Sequence, residues 1–138
     1  MTQEQLEKKK FFYSLVFPAI FVILLWLIKL SEVVLDTKLV ALGVYPLKTE
    51  GLIGIFTGPL IHGDFGHLAA NSVPLLVLGM GLFYFYDTIA YRVFFTIYIL
   101  AGLMLWLGGR EVYHIGASGL TYGLAAFLFF SGILRKHV

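Results

Sequence analysis

The chain has 138 residues, of which 59% are hydrophobic and 13% are charged, and its mean hydropathy is +0.89. These values exclude an ordinary soluble domain, which would expose large apolar patches and aggregate, and they predict an all-α membrane protein in a lipid bilayer. The small, dispersed net charge of +2 argues against a nucleic-acid partner, and the absence of cysteine excludes disulfides and thiolate chemistry.

Four apolar segments approach the length of about 20 residues that a helix needs to cross a bilayer. Their predicted bounds are residues 11–28, residues 67–86, residues 91–107, and residue 117 to just before residue 135. We therefore predict four transmembrane helices, which we call spans one to four, preceded by a polar N-terminal tail at residues 1–10. Span one lacks the short apolar core and the cleavage site of a signal peptide, so we expect it to remain as an anchor.

The connection between spans one and two, residues 31–66, is longer than an ordinary interhelical loop, which is usually under about 12–15 residues. Its two apolar stretches, residues 39–45 and 52–61, are too short to cross a bilayer and are bounded by glycine, proline and charge. We expect this connection to have structure of its own and to dip into the membrane interface.

Lysine and arginine predict the orientation, because basic loops are retained on the cytoplasmic side. One side of the predicted membrane holds six basic residues, which are Lys8, Lys9, Lys10, Arg92, Arg135 and Lys136. The opposite side holds four, which are Lys29, Lys38, Lys48 and Arg110. This bias predicts that both termini are cytoplasmic and that residues 31–66 form a long external loop.

Polar side chains gather at the predicted outer ends of spans two and four, and such residues are functional candidates because a membrane makes them costly. His67 and Asn71 are one helical turn apart, so they share a face of span two. His62 is out of phase with that face and is expected to reach the site from the preceding loop. Ser118 lies between glycines at the start of span four, where free N–H groups and the helix dipole can stabilise an oxyanion.

Each candidate also has a structural interpretation. Ser118 can be a helix N-cap, Asn71 can hydrogen-bond between helices, and His62 or His114 can be a satisfied structural histidine. A metal site is a further alternative, although no HExxH-like pair organises its ligands. The residues that could contribute to it are His62, Asp64, His67, Glu111 and His114.

Two motifs carry a resemblance to a known family. The segment His62-Gly-Asp-Phe-Gly-His67-Leu-Ala-Ala-Asn71 precedes Gly116-Ala-Ser-Gly119 by two spans, and together they resemble the rhomboid family of intramembrane serine proteases. The resemblance runs from about Phe11 onward. It implies four transmembrane helices of a rhomboid-like six-helix bundle that cleaves the transmembrane segments of membrane proteins, with no cofactor.

The resemblance also implies a role for each site residue. Ser118 would be the nucleophile, and its own N–H, His67 and Asn71 would form the oxyanion hole. Tyr122 matches the family's aromatic residue that packs on the catalytic imidazole, and His62 matches a histidine with a supporting role.

One family feature has no counterpart in these spans, because the general base of a rhomboid is a histidine on a sixth helix. His137 lies about 28 Å beyond Ser118 along a continuous helix, on the predicted cytoplasmic side, and cannot replace it. We therefore expect residues 1–138 to be a single, incomplete rhomboid-like domain of a bacterial inner-membrane protein, with little activity by itself. The alternative is a noncatalytic rhomboid-like protein that binds transmembrane helices; a channel would need charged residues at the midplane, which the spans lack.

Overall fold

A computed structural model describes residues 1–136 and contains five α-helices in this part of the chain. They are α1 (Gln3–Val34), α2 (Gly54–Thr57), α3 (Phe65–Phe85), α4 (Ala90–Gly108) and α5 (Ser118–Arg135). All except the short α2 are long and apolar enough to cross a membrane. The predicted all-α membrane protein with four transmembrane helices is confirmed.

Helix α1 is longer at both ends than the predicted span of residues 11–28. Its start is closed by a capping box, in which Thr2 and Gln5 exchange side-chain and backbone hydrogen bonds. Residues 3–10, predicted to be a tail, are therefore helical. At the other end the helix continues to Val34, because charged residues interrupt an apolar run without interrupting the backbone hydrogen bonds of a helix.

The most extensive helix interface is between α1 and α3. Pro18 of α1 packs on Gly79 of α3, where an added Cβ would lie only 2.9 Å from the proline ring. Trp26 of α1 donates a hydrogen bond of 3.0 Å from its indole nitrogen to the hydroxyl of Ser72 on α3. These two contacts are about two helical turns apart on α1, and they hold α3 against the side of α1.

Helix α5 packs on α4 through two glycines spaced four residues apart. A Cβ at Gly119 would lie 3.4 Å from Ala101, and one at Gly123 would overlap the side chain of Ile97. Small residues at this spacing let membrane helices approach closely. Tyr122 lies on an outward-facing side of α5 and is 77% exposed.

The connection between α1 and α3 has structure of its own, as expected, and this structure consists of short helical turns. In addition to α2 it contains 3-10 turns at Val40–Leu42, Thr49–Leu52 and Gly58–Leu60. The hydroxyl of Tyr98 on α4 donates to the carbonyl of Phe56, and Val44 forms an isolated antiparallel bridge with His114. The connection therefore packs on α4 at the end of the bundle where α5 begins.

Candidate active site

Ser118 is the first residue of α5, and its side chain is exposed. The N-cap of α5 is Ala117, and no side chain caps this helix, so the interpretation of Ser118 as an N-cap is wrong. Gly116 turns the chain just before it with φ of +103°, a conformation that favours glycine. The Ser118 N–H belongs to the first helical turn, whose N–H groups have no acceptor within the helix.

His67 is positioned by the start of α3. The Asp64 carboxylate accepts a hydrogen bond of 2.7 Å from the His67 backbone N–H and so caps this helix. The His67 imidazole lies against Gly116, where an added Cβ would be 2.6 Å from Nε2. The fold therefore brings a ring nitrogen of α3 next to the peptide segment that carries Ser118.

Asn71 is buried one turn further along α3. Its amide nitrogen donates a hydrogen bond of 3.1 Å to the carbonyl of His67, so this bond lies within α3 and does not join two helices. A primary amide has two N–H donors, and one of them remains for another acceptor.

His62 reaches the site from the loop before α3, where it is 1% exposed. Its Nε2 accepts a hydrogen bond of 3.4 Å from the N–H of Ala117, and its ring lies edge-on to that of His67 with centroids 5.0 Å apart. Burial, assisted by the nearby His67 and Lys29, lowers the pKa of His62 to about 4. The ring is therefore neutral at pH 7, which is the state that can accept the Ala117 N–H.

The remaining candidate residues, Tyr122 and His114, border a cavity that Ser118 also borders. The cavity has a volume of about 690 Å³ and lies between α4 and α5. The Nε2 of His114 is 2.9 Å from the carbonyl oxygen of Arg110. Within residues 1–136, no histidine nitrogen is hydrogen-bonded to the Ser118 hydroxyl, and His137 lies outside the described residues.

The alternative metal site is not assembled in the part of the chain that the structure describes. There, no three histidine, aspartate or glutamate side chains come together as a ligand cluster. Asp64 instead caps α3, and His114 contacts a backbone carbonyl.

Two residues near the site were missed by the sequence analysis. Lys29 and Glu32, at the end of α1, form an ion pair of 3.3 Å, and the Lys29 ammonium also donates to the carbonyl of Gly63 at 3.0 Å. The only signal in the sequence is two opposite charges three residues apart at the end of an apolar run. Such a pair is common on ordinary helix surfaces.

Comparison with known families decides the assignment. A family model of the rhomboid domain matches residues 49–138, well over half of the chain. The chain belongs to the rhomboid family. Because residues 1–136 contain four helices that are long and apolar enough to cross a membrane, this rhomboid is a multi-pass integral membrane protein.

The curated relatives of this rhomboid are mycobacterial. Uncharacterized proteins of Mycobacterium tuberculosis and Mycobacterium bovis are each 42% identical over 127 residues, which cover 84% of this chain and 51% of theirs. An uncharacterized protein of Mycobacterium leprae is 36% identical, with 84% and 49% covered. This rhomboid chain thus spans about half the length of these relatives. No solved structure matches it.

Proposed function

We propose that the protein is an intramembrane serine endopeptidase that cleaves the transmembrane segments of other membrane proteins. The observation that carries this proposal is the position of Ser118. Its hydroxyl is not used to cap α5, it is exposed, and the His67 imidazole lies against Gly116, two residues earlier in the chain. A nucleophile beside hydrogen-bond donors is the arrangement that acyl transfer requires.

In the proposed reaction, Ser118 Oγ attacks the carbonyl carbon of the scissile peptide bond and loses its proton. The carbonyl oxygen becomes an oxyanion, stabilised by the Ser118 N–H, a ring N–H of His67 and the second amide hydrogen of Asn71. The C–N bond then breaks, the amine leaves with a proton, and water hydrolyses the acyl ester to regenerate the serine. In a water-poor site these donors act more strongly than in bulk solvent.

The proposed reaction also needs a general base. His62 is committed to the Ala117 N–H through Nε2, and His114 lies next to the Arg110 carbonyl. We propose that the base is a histidine from a part of the whole protein other than residues 1–136, which agrees with relatives about twice as long. Tyr122 is exposed one turn after Ser118, where it would pack on that imidazole.

The proposal places both termini of the chain in the cytoplasm and the site at the outer end of the bundle. Residues 31–66 would then be external, and a substrate helix would present unwound backbone to Ser118 from that side. Mycobacterial relatives favour a bacterial inner membrane as the location.

A noncatalytic protein that binds transmembrane helices is the second candidate. Its support is that, among residues 1–136, no histidine is hydrogen-bonded to the Ser118 hydroxyl. A helix-binding protein would not need the hydroxyl at all.

The test is cleavage of a panel of transmembrane substrates by the whole protein in liposomes. Ser118→Ala is expected to lower kcat/KM by about 10⁴-fold or more, because it removes the hydroxyl that would form the acyl-enzyme. Ser131→Ala is the matched control on the same helix, since this hydroxyl bonds to Tyr86 at the opposite end of α5. Substrate binding without any cleavage that depends on Ser118 would support the noncatalytic function.

A further inference from the structure

A charged pair lies at the end of α1, close to the candidate site. The side chain of Glu32 is 8% exposed and that of Lys29 is 13% exposed, so the pair is largely removed from solvent. Charges that are buried to this extent are costly unless each one is paired and hydrogen-bonded. Both requirements are met here.

The pair connects both ends of the segment that links α1 to α3. One Glu32 carboxylate oxygen contacts Lys29, and the other accepts a hydrogen bond of 2.9 Å from the backbone N–H of Leu39. Lys29 in turn donates to the carbonyl of Gly63 at 3.0 Å. The start and the end of the connection, some 24 residues apart, are thus attached to one turn of α1.

Gly63 stands next to two residues of the site. Before it is His62, whose Nε2 accepts the Ala117 N–H beside Ser118. After it is Asp64, whose carboxylate caps α3 and binds the backbone N–H of His67. A shift of the Gly63 carbonyl therefore moves both histidines that border the peptide segment carrying Ser118.

We propose that Lys29 and Glu32 are positioning residues of the hydrolytic site. Glu32 orients the Lys29 ammonium, and the ammonium holds the Gly63 carbonyl, so that His62 and His67 keep their places around residues 116–118. This inference rests on the proposed function for its effect on catalysis. The hydrogen bond from Lys29 to the Gly63 carbonyl is a property of the fold and can be tested separately.

The first test uses the whole protein with three variants. Lys29→Met removes the donor to Gly63 and is expected to lower kcat by about 10- to 100-fold with KM within about twofold, because small displacements of reacting groups slow chemistry. Lys29→Arg keeps a donor and is expected to recover most of kcat. Lys38→Met is the matched control, because Lys38 is an exposed lysine of the same connection.

The exchanged pair, Lys29→Glu with Glu32→Lys, separates positioning from mere charge pairing. It restores two opposite charges, but a carboxylate at position 29 cannot donate to the Gly63 carbonyl. We expect kcat to stay low in this double variant. Recovery of kcat by the exchanged pair, or unchanged kcat in Lys29→Met, would overturn the proposal.

Hydrogen exchange provides a readout that does not depend on catalysis. The variant Lys29→Met is measured below its unfolding temperature. We expect faster exchange than in the parent protein at the amides of residues 61–67 and 116–118, and unchanged exchange at the amides of α4. Unchanged exchange at residues 61–67 and 116–118 would show that Lys29 does not hold this part of the site. If the parent protein cleaves nothing, the proposed function fails while this measurement still decides whether Lys29 holds the site segment.

Discussion

His62 and His67 show how burial gives different properties to two neighbouring residues of the same type. His62 is almost completely buried and accepts a backbone N–H, whereas His67 is half-buried and lies against Gly116. Two protonated rings at a centroid distance of 5.0 Å would repel each other. A neutral His62 therefore suits the role that we propose for His67 as a hydrogen-bond donor to the oxyanion.

The lowered pKa of His62 predicts how stability depends on pH. Its pKa is about 4 in the folded protein and 6.5 in an exposed state, so the unfolded chain takes up the proton first as the pH falls. The free energy of unfolding is therefore not reduced by His62 above pH 6.5. It decreases as the pH falls from 6.5 toward 4. The unfolding temperature in detergent is expected to fall across this range, and less steeply in His62→Gln. Equal pH slopes of the unfolding temperature for the parent protein and for His62→Gln would contradict the prediction. The neighbouring titratable groups Lys29, Glu32 and His67 are present in both proteins and do not explain a difference between them.

At the scale of elements, helix α2 depends on a close backbone contact. Gly54 lies against the backbone of Gly43 and Val44, and a Cβ at this position would overlap both residues. Gly54→Ala is therefore expected to destabilise the protein by about 1–3 kcal/mol, measured by thermal unfolding. Gly132→Ala on α5 is the control, because its added methyl group would meet open space. Equal stability of the two variants would show that the connection does not pack in this way.

The sequence predicts the later helices well and the first one less well. The bounds of α3, α4 and α5 lie within two residues of the predicted spans, because apolar length measures a membrane crossing directly. The predicted span is shorter than helix α1, since Lys10 and Lys29 end the apolar run while the helix continues. Contacts such as Val44 with His114 join distant parts of the chain and leave no periodic signal.

The same distinction applies to the candidate site. The positions of His67, Asn71 and Ser118 follow from their spacing on helices, so the sequence could place them at one end of the bundle. The link from Lys29 to Gly63 could not be predicted, because it joins a side chain to a backbone carbonyl 34 residues away. The residue type at position 63 carries no information about that bond.

At the scale of the whole molecule, the orientation can be tested by labelling single cysteines, since residues 1–138 contain none. A membrane-impermeant thiol reagent added outside intact cells is expected to modify cysteine at Lys48 or Glu111. Cysteine at Lys9 or Arg135, two positions that are also exposed in the structure, should react only after permeabilisation. The reverse pattern would place the site on the cytoplasmic side and contradict the orientation.

The most direct test of the account is covalent labelling of the proposed nucleophile. The whole protein in liposomes is treated with a fluorophosphonate, and the modified residue is located by mass spectrometry of its peptides. The account predicts modification at Ser118, lost on prior unfolding, because a serine without an organised site is a poor nucleophile. Modification of a different serine, or none at Ser118 in a preparation that cleaves its substrate, would contradict it.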